Sequence, residues 1–159
     1  MTDTRELETR FWKHLGDDRT LMLGADGIAP RPMTAIAEDD RAPLWFFTSS
    51  ETDLGRHLDA SPGVDAGASF AAKDHALFAM LTGRLVADND RAVIDRLWNP
   101  FIAAWFTGKD DPKLRLLRMD ATEAHVWLNE NSMLAGIKLL LGSDPKKDYK
   151  DKAGDVDLR

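Results

Sequence analysis

Three hydroxyls, Thr48-Ser49-Ser50, close an aromatic run, Leu44-Trp45-Phe46-Phe47. A short acidic turn before that run, a second strand-like segment reads Arg31-Pro32-Met33-Thr34-Ala35-Ile36. Rings offer an apolar wall, while hydroxyls, free backbone N–H groups and a guanidinium donate to phosphate oxygens. These residue types suit a flat aromatic ligand that ends in phosphate. Trp45 and Phe46, taken singly, read better as buried strand residues, and the hydroxyls could equally serve caps and turns. Arg31 stands before Pro32, which lacks a ladder donor and prefers an edge or a strand start, so the place is irregular in the way that borders a site.

Other chemistries find little support. The chain has no cysteine, which removes disulfides, thiolate nucleophiles and sulfur-ligated zinc. His14, His57 and His75 are scattered without metal-ligand spacing, and His125 shares a strand face with Trp127 as a lone histidine. The pairs Asp17-Asp18, Asp39-Asp40 and Asp110-Asp111 fall in expected turns and read as solvated carboxylates. No nucleophile elbow or glycine-rich phosphate loop is present. A net charge of -6 with no basic stripe argues against nucleic acid as a partner. The N-terminus has no apolar signal region, and the apolar stretch from Met133 to Leu141 is too short to span a bilayer, so a soluble, cytoplasmic protein with no membrane partner is expected.

The elements that must position the hydroxyls follow from periodicity and caps. Asp3 and Glu6 form a capping-box pattern ahead of Leu7, Phe11 and Leu15, which predicts a helix over about residues 4–15, closed by Gly16. Thr20–Leu23 reads as a strand and Asp26-Gly27 as a hairpin turn into the Arg31 strand. The turn Glu38-Asp39-Asp40-Arg41 then leads to the Trp45 strand. Thr52 or Asp53 caps a short helix that buries Leu54 and Leu58. Residues 64–70 and 76–86 form another hairpin around Lys73-Asp74. Asp90 caps a helix, and Asn99-Pro100 restarts it as a second. Their stripe of Trp98, Phe101, Ile102, Trp105 and Phe106 exceeds what a small core needs, which predicts a subunit interface or pocket rim. Leu114–Met119 and Glu123–Leu128 are the last strands, and a final helix is expected from Asn131 to Leu141. One domain over residues 1–142 is expected, followed by a charged, flexible tail over 143–159. The class is mainly β with flanking helices (α+β), a small antiparallel barrel of about six strands.

The order of landmarks resembles the pyridoxamine 5′-phosphate oxidase-like superfamily, general stress protein branch. The markers are Arg31-Pro32-Met33-Thr34, Trp45 to Ser49, Leu81-Thr82-Gly83-Arg84, Asp90-Arg91, Leu97-Trp98-Asn99-Pro100, Trp105-Phe106, and Asp110-Asp111-Pro112 before Leu114. The resemblance implies an antiparallel six-stranded split β-barrel of the FMN-binding type, working as a homodimer with flavin sites at the interface. It implies FMN or FAD as cofactor, and cofactor-binding roles for Arg31, Pro32, Met33, Thr34, Phe47, Thr48, Ser49, Ser50 and Leu54. Phe78 would reach the partner's flavin, and Trp127 would border the ring. No catalytic side chain can be named from the sequence, and the scattered histidines give no expectation of a metal site. Flavin-dependent oxidoreduction of an unnamed substrate is one activity the resemblance allows. A non-enzymatic flavin or ligand sensor of stress is the alternative, as is a split barrel holding deazaflavin or haem.

Two departures stand out. Where the oxidases carry an Arg-Lys pair, this chain has Asp53 and Leu54, so a phosphate clamp must rest on Arg31, the hydroxyls, backbone N–H groups and Arg56. The oxidases' Arg-x-His substrate segment is also missing from the stretch Asn129 to Gly136. Pyridoxamine phosphate oxidation is therefore not expected.

Overall fold

The computed structural model describes residues 3–129 and 153–159. Helix α1, Thr4–Asp18, begins where the Asp3 side chain accepts the Arg5 N–H, and it buries Leu7, Phe11, Trp12 and Leu15. It runs past Gly16 and ends on Arg19, whose N–H donates to the Leu15 carbonyl from a left-handed backbone, φ 63°. The expected helix end at residue 15 thus lies three residues before the true one at Asp18.

Strands β1, Thr20–Ala25, and β2, Ile28–Thr34, turn on Asp26 and Gly27. After Ala35 come β3, Ile36–Glu38, and β4, Arg41–Ser49. Asp39 and Asp40 join those two strands with φ of 57° and 50°. Two positive φ values are what a tight hairpin turn twisted to match its strands requires, and aspartate tolerates them better than most side chains. Helix α2, Asp53–Asp59, is capped by Thr52. Strands β5, Val64–Ala71, and β6, Leu77–Ala87, form the second hairpin. Helices α3, Arg91–Leu97, and α4, Pro100–Ala103, meet at Asn99, whose side chain accepts the Ile102 N–H. Strands β7, Leu114–Leu128, and β8, Ala153–Asp157, complete the described chain.

The strands form one antiparallel sheet in the order β2-β1-β5-β6-β7-β4-β3, with β8 paired to β7. The split-barrel expectation holds, but the described residues contain eight strands where six were expected. The Arg31 strand breaks at Ala35. The segments Leu114–Met119 and Glu123–Leu128 are one strand, β7, because Asp120, Thr122 and Glu123 only interrupt the apolar pattern on its open face. A register shift sits opposite them at Thr82/Gly83, where a Cβ on Gly83 would lie 2.4 Å from the Asp120 carbonyl.

The tail expectation fails over β8, which pairs with Glu123–Trp127 and sinks Val156 and Leu158 into the core. Charge at Asp155, Asp157 and Arg159 masks a strand whose inward positions are apolar. The expected helix over 131–141 and the tail over 143–152 lie outside the described residues.

The barrel interior holds the main cluster, including Phe11, Phe46, Leu81 and Val156. A second cluster, Trp45, Val93, Ile94, Leu114 and Leu116, fixes α3 against the outer face of β4 and β7. Trp45 and Phe46 are therefore buried on opposite faces, as ordinary strand residues. Glu38 adds a clasp, accepting two hydrogen bonds from the Arg96 guanidinium at 3.1 and 3.0 Å.

Candidate functional site

The β3–β4 ladder stops at Ile36–Trp45, yet β4 continues to Ser49, and β2 has already ended at Thr34. The edges of β2 and β4 therefore face each other without a ladder between them. A cleft of about 760 Å³ opens there, lined by Arg31–Ala37 and Phe47–Ser49, by Arg19 at the end of α1, and by Leu97, Asn99, Phe101, Ile102, Trp105 and Phe106 from the α3–α4 side. Unpaired strand edges carry N–H and C=O groups that need partners. A ligand with polar atoms along its length can supply them.

The β4 wall is held by aromatic contacts. Phe47 meets Trp98 edge-on at 6.3 Å, and Trp98 packs on Phe106 at 6.4 Å. Phe101 and Trp105, in contrast, are each 84% exposed at the rim.

Hydrogen bonding sorts the hydroxyls into two groups. Thr52 Oγ1 accepts the Gly55 N–H at 3.0 Å and donates to the Ser49 carbonyl at 2.9 Å. Its single hydrogen is spent, so the 3.0 Å contact with Thr48 Oγ1 has Thr48 as the donor. Thr48 and Thr52 are thus committed to shaping the loop. Ser49 Oγ only accepts, from the Glu51 N–H at 3.1 Å, which leaves its hydrogen to donate into the cleft. The loop is pressed against α2 so closely that a Cβ on Gly55 would lie 2.1 Å from the Ser49 carbonyl oxygen.

Cations separate as sharply. Most arginines, Arg84, Arg96 and Arg118 for example, pair with a carboxylate. Among the described residues Arg5, Arg19 and Arg31 have no such pair, and Arg19 and Arg31 both line the cleft. They are its only titratable lining groups among the described residues. Arg56 is engaged elsewhere, donating to the Glu51 carbonyl and to Asp53, both at 2.6 Å.

Of the residues singled out in the sequence, Arg31, Pro32, Met33, Thr34, Phe47, Thr48 and Ser49 come together. Ser50 turns away and donates its N–H to the Lys113 carbonyl. Leu54 is fully buried in the main core. Phe78 and Trp127 face each other across β6 and β7, outside this chain's own cleft. His125 lies 4.4 Å from the Trp127 ring and bonds Asp155 at 2.5 Å. Among the described residues no three His, Asp or Glu side chains gather into a metal-binding group, and no helix is long and apolar enough to cross a membrane.

Sequence reasoning missed Arg19 as a cleft residue and read Asn99 only as a cap. No periodic signal marks an arginine between a helix and a strand; only the register of β1 on β2 brings it beside Ala35, whose N–H donates to the Arg19 carbonyl at 2.8 Å.

An antiparallel barrel left open along one seam, with a basic and hydroxylic lining at the opening, is a split barrel. The chain belongs to the pyridoxamine 5′-phosphate oxidase-like family, whose profile matches residues 6–149. Its relatives place it in the general stress branch. A general stress family protein of Xanthomonas campestris pv. campestris is 51% identical, over 83% of this chain and 93% of that one, with a TM-score of 0.76. The general stress FMN/FAD binding protein of Xanthomonas citri is 50% identical over 80% of this chain and 92% of that one, with a TM-score of 0.76. A general stress protein 26 from Jannaschia sp. CCS1 is 27% identical, covers 98% of this chain and 99% of its own, and superposes with a TM-score of 0.82. Among curated proteins, General stress protein 26 of Bacillus subtilis (strain 168) is 24% identical over 82 residues, so the chain spans 59% of that relative.

Proposed function

We propose that the cleft binds FMN, or the FMN half of FAD, and that the protein acts as a cytoplasmic flavoprotein of the stress response. The observation that carries this reading is Arg31, without a carboxylate partner among the described residues, in the same cleft as the donating Ser49 hydroxyl and the unpaired edges of β2 and β4. Arg31 and the Ser49 loop would hold the phosphate, and Phe47 and Thr34 would border the ring. The Xanthomonas citri relative, described as FMN/FAD binding, supports the choice of ligand.

A homodimer accompanies this reading. Cross-strand pairs place Pro32, Met22, Ser69, Met80 and His125 in one outward row running from the cleft across the sheet. Met22 and Met80 are 39% and 49% exposed there, an apolar face suited to a second copy. The partner's Phe78 and Trp127 would then approach the ring. A monomer in sedimentation at micromolar concentration would refute the dimer.

The bound flavin would supply hydride or electron chemistry, and the chain would bind and orient it. Among the described residues the lining has no carboxylate, histidine, lysine or tyrosine to move a proton, which favours a non-enzymatic sensor as the second reading. Reduced-nicotinamide-dependent flavin reduction separates the two, since steady turnover marks an enzyme and tight binding without turnover marks a sensor.

Calorimetric titration with FMN tests the site itself. A charge-assisted contact contributes about 1.5–3 kcal/mol, so Arg31→Ala is expected to weaken FMN binding by about 10- to 100-fold. The melting temperature should hardly change, because Arg31 is exposed. Wild-type protein without flavin absorbance and without a calorimetric signal overturns the flavin reading.

A further inference from the structure

Arg19 is left over when the flavin reading has used Arg31 and the Ser49 loop. It lines the same cleft, but at the opposite end of the β1–β2 hairpin. Arg19 lies beside Ala35, whereas Arg31 pairs with Leu23. Four residues of strand separate those positions, about 13 Å at the usual rise. The two arginines are thus rooted at different heights along the cleft.

The surroundings of Arg19 leave its charge available. The nearest carboxylates on its own helix are occupied, Asp17 by Lys13 at 3.2 Å and Asp18 by the Lys73 N–H at 2.8 Å. The guanidinium makes one long bond, from Nε to the Gly16 carbonyl at 3.3 Å. Its remaining N–H groups have no acceptor among the described residues. Arg19 also holds a left-handed backbone that favours glycine, with φ 63°. Local preference therefore does not account for an arginine here. Across the cleft, Phe101 and Trp105 present open rings on which a flat body can stack.

We propose that Arg19 anchors the oxyanion, carboxylate or phosphate, of a small flat second ligand that enters the cleft beside the flavin ring. The inference rests on the flavin reading for its partner in the cleft, and it adds a substrate or effector class, a small aromatic oxyanion, to that site. The cleft gives such a molecule a cation at its head and apolar rings along its body. The flavin phosphate keeps Arg31.

The test uses one ring with three head groups. Benzoate, phenyl phosphate and uncharged benzamide are titrated calorimetrically into the wild type, Arg19→Gly and Arg19→Lys, each with and without FMN. The expected result is binding of one or both anions to wild type at least tenfold tighter than to Arg19→Gly, with Arg19→Lys between them and benzamide indifferent to the substitution. Whether benzoate or phenyl phosphate is preferred identifies the head group. The Arg19→Gly chain should melt no lower than wild type, because glycine relieves the left-handed backbone, so loss of binding cannot be ascribed to misfolding. FMN affinity should be unchanged by it. Equal anion binding by wild type and Arg19→Gly overturns the proposal, as does wild-type preference for benzamide. A fall in FMN affinity matching that of Arg31→Ala also overturns it, since Arg19 would then hold the flavin phosphate. If wild type binds no FMN the flavin reading falls, while the anion titrations without FMN still decide the role of Arg19.

Discussion

Gly55→Ala should destabilise the protein and loosen the cleft together. Gly55 sits in the first turn of α2, where helix propensity alone would make alanine stabilising by about 1 kcal/mol. The close packing predicts the opposite sign. The new Cβ would lie 2.1 Å from the Ser49 carbonyl oxygen, 3.0 Å from its carbon and 3.2 Å from the Ser50 Cα. Backbone has to open by about 0.9 Å merely to reach the closest separation seen for real Cβ atoms, and overpacking of this kind costs about 1–3 kcal/mol. At about 2–4 °C per kcal/mol for a chain of this size, the melting temperature falls by several degrees. The atoms displaced belong to the residue that offers its hydroxyl hydrogen to the cleft. They also accept the Thr52 hydroxyl, so the Thr48–Thr52–Ser49 chain of bonds breaks with them. FMN affinity should then drop by about tenfold, the effect of losing one well-placed contact. Thermal melting followed by FMN calorimetry measures both quantities. A variant that melts higher than wild type and binds FMN equally well would refute the assignment of this loop as a rigid phosphate cradle.

Leu54→Lys places the oxidases' cation where this chain has a core leucine. Because Leu54 is 0% exposed, the ammonium has no route to the cleft, and stability should fall by more than about 3 kcal/mol without any gain in FMN affinity. A stable variant with tighter flavin binding would contradict the placement of that side chain. Hydrogen bonds from Arg96 hold the Glu38 carboxyl below the usual glutamate range. Such a group adds stability above its unfolded pKa and loses it as pH falls through the folded one. Glu38→Gln should therefore melt lower than wild type at pH 7, by no more than about 2–4 °C for so exposed a pair, with the difference closing below about pH 4. A gap that persists at pH 2.5 would show that the clasp between β3 and α3 is not the cause.

Elements were legible where local chemistry and the fold agree. The Asp3 cap, the Asp26-Gly27 hairpin, the Thr52 cap and the Asn99-Pro100 restart all depend on groups within a few residues of one another. What escaped depends on partners far along the chain. Strand β8 is polar in composition, and only β7 beside it reveals that Val156 points inward. The unity of β7 was hidden because its outward positions carry charge at mid-strand. In the cleft, residue type pointed to Arg31 and the hydroxyl run. It could not show that Thr48 and Thr52 spend their hydrogens on each other and on the loop, nor that Arg19 faces the same opening. Those facts belong to register and geometry, which no short window contains.

The packing of α1 on β8 has a consequence for how the barrel is built. Leu7 on α1 comes close enough that a Cβ on Gly154 would lie 3.0 Å from its Cδ1, while Val156 is fully enclosed nearby. This contact joins positions 147 residues apart, so closing it costs loop entropy that nearby contacts do not. Neither half of the described chain holds its own finished core. The barrel should consequently open and close as one cooperative unit, with amides of α1 and β8 exchanging through the same global event rather than fraying as ends.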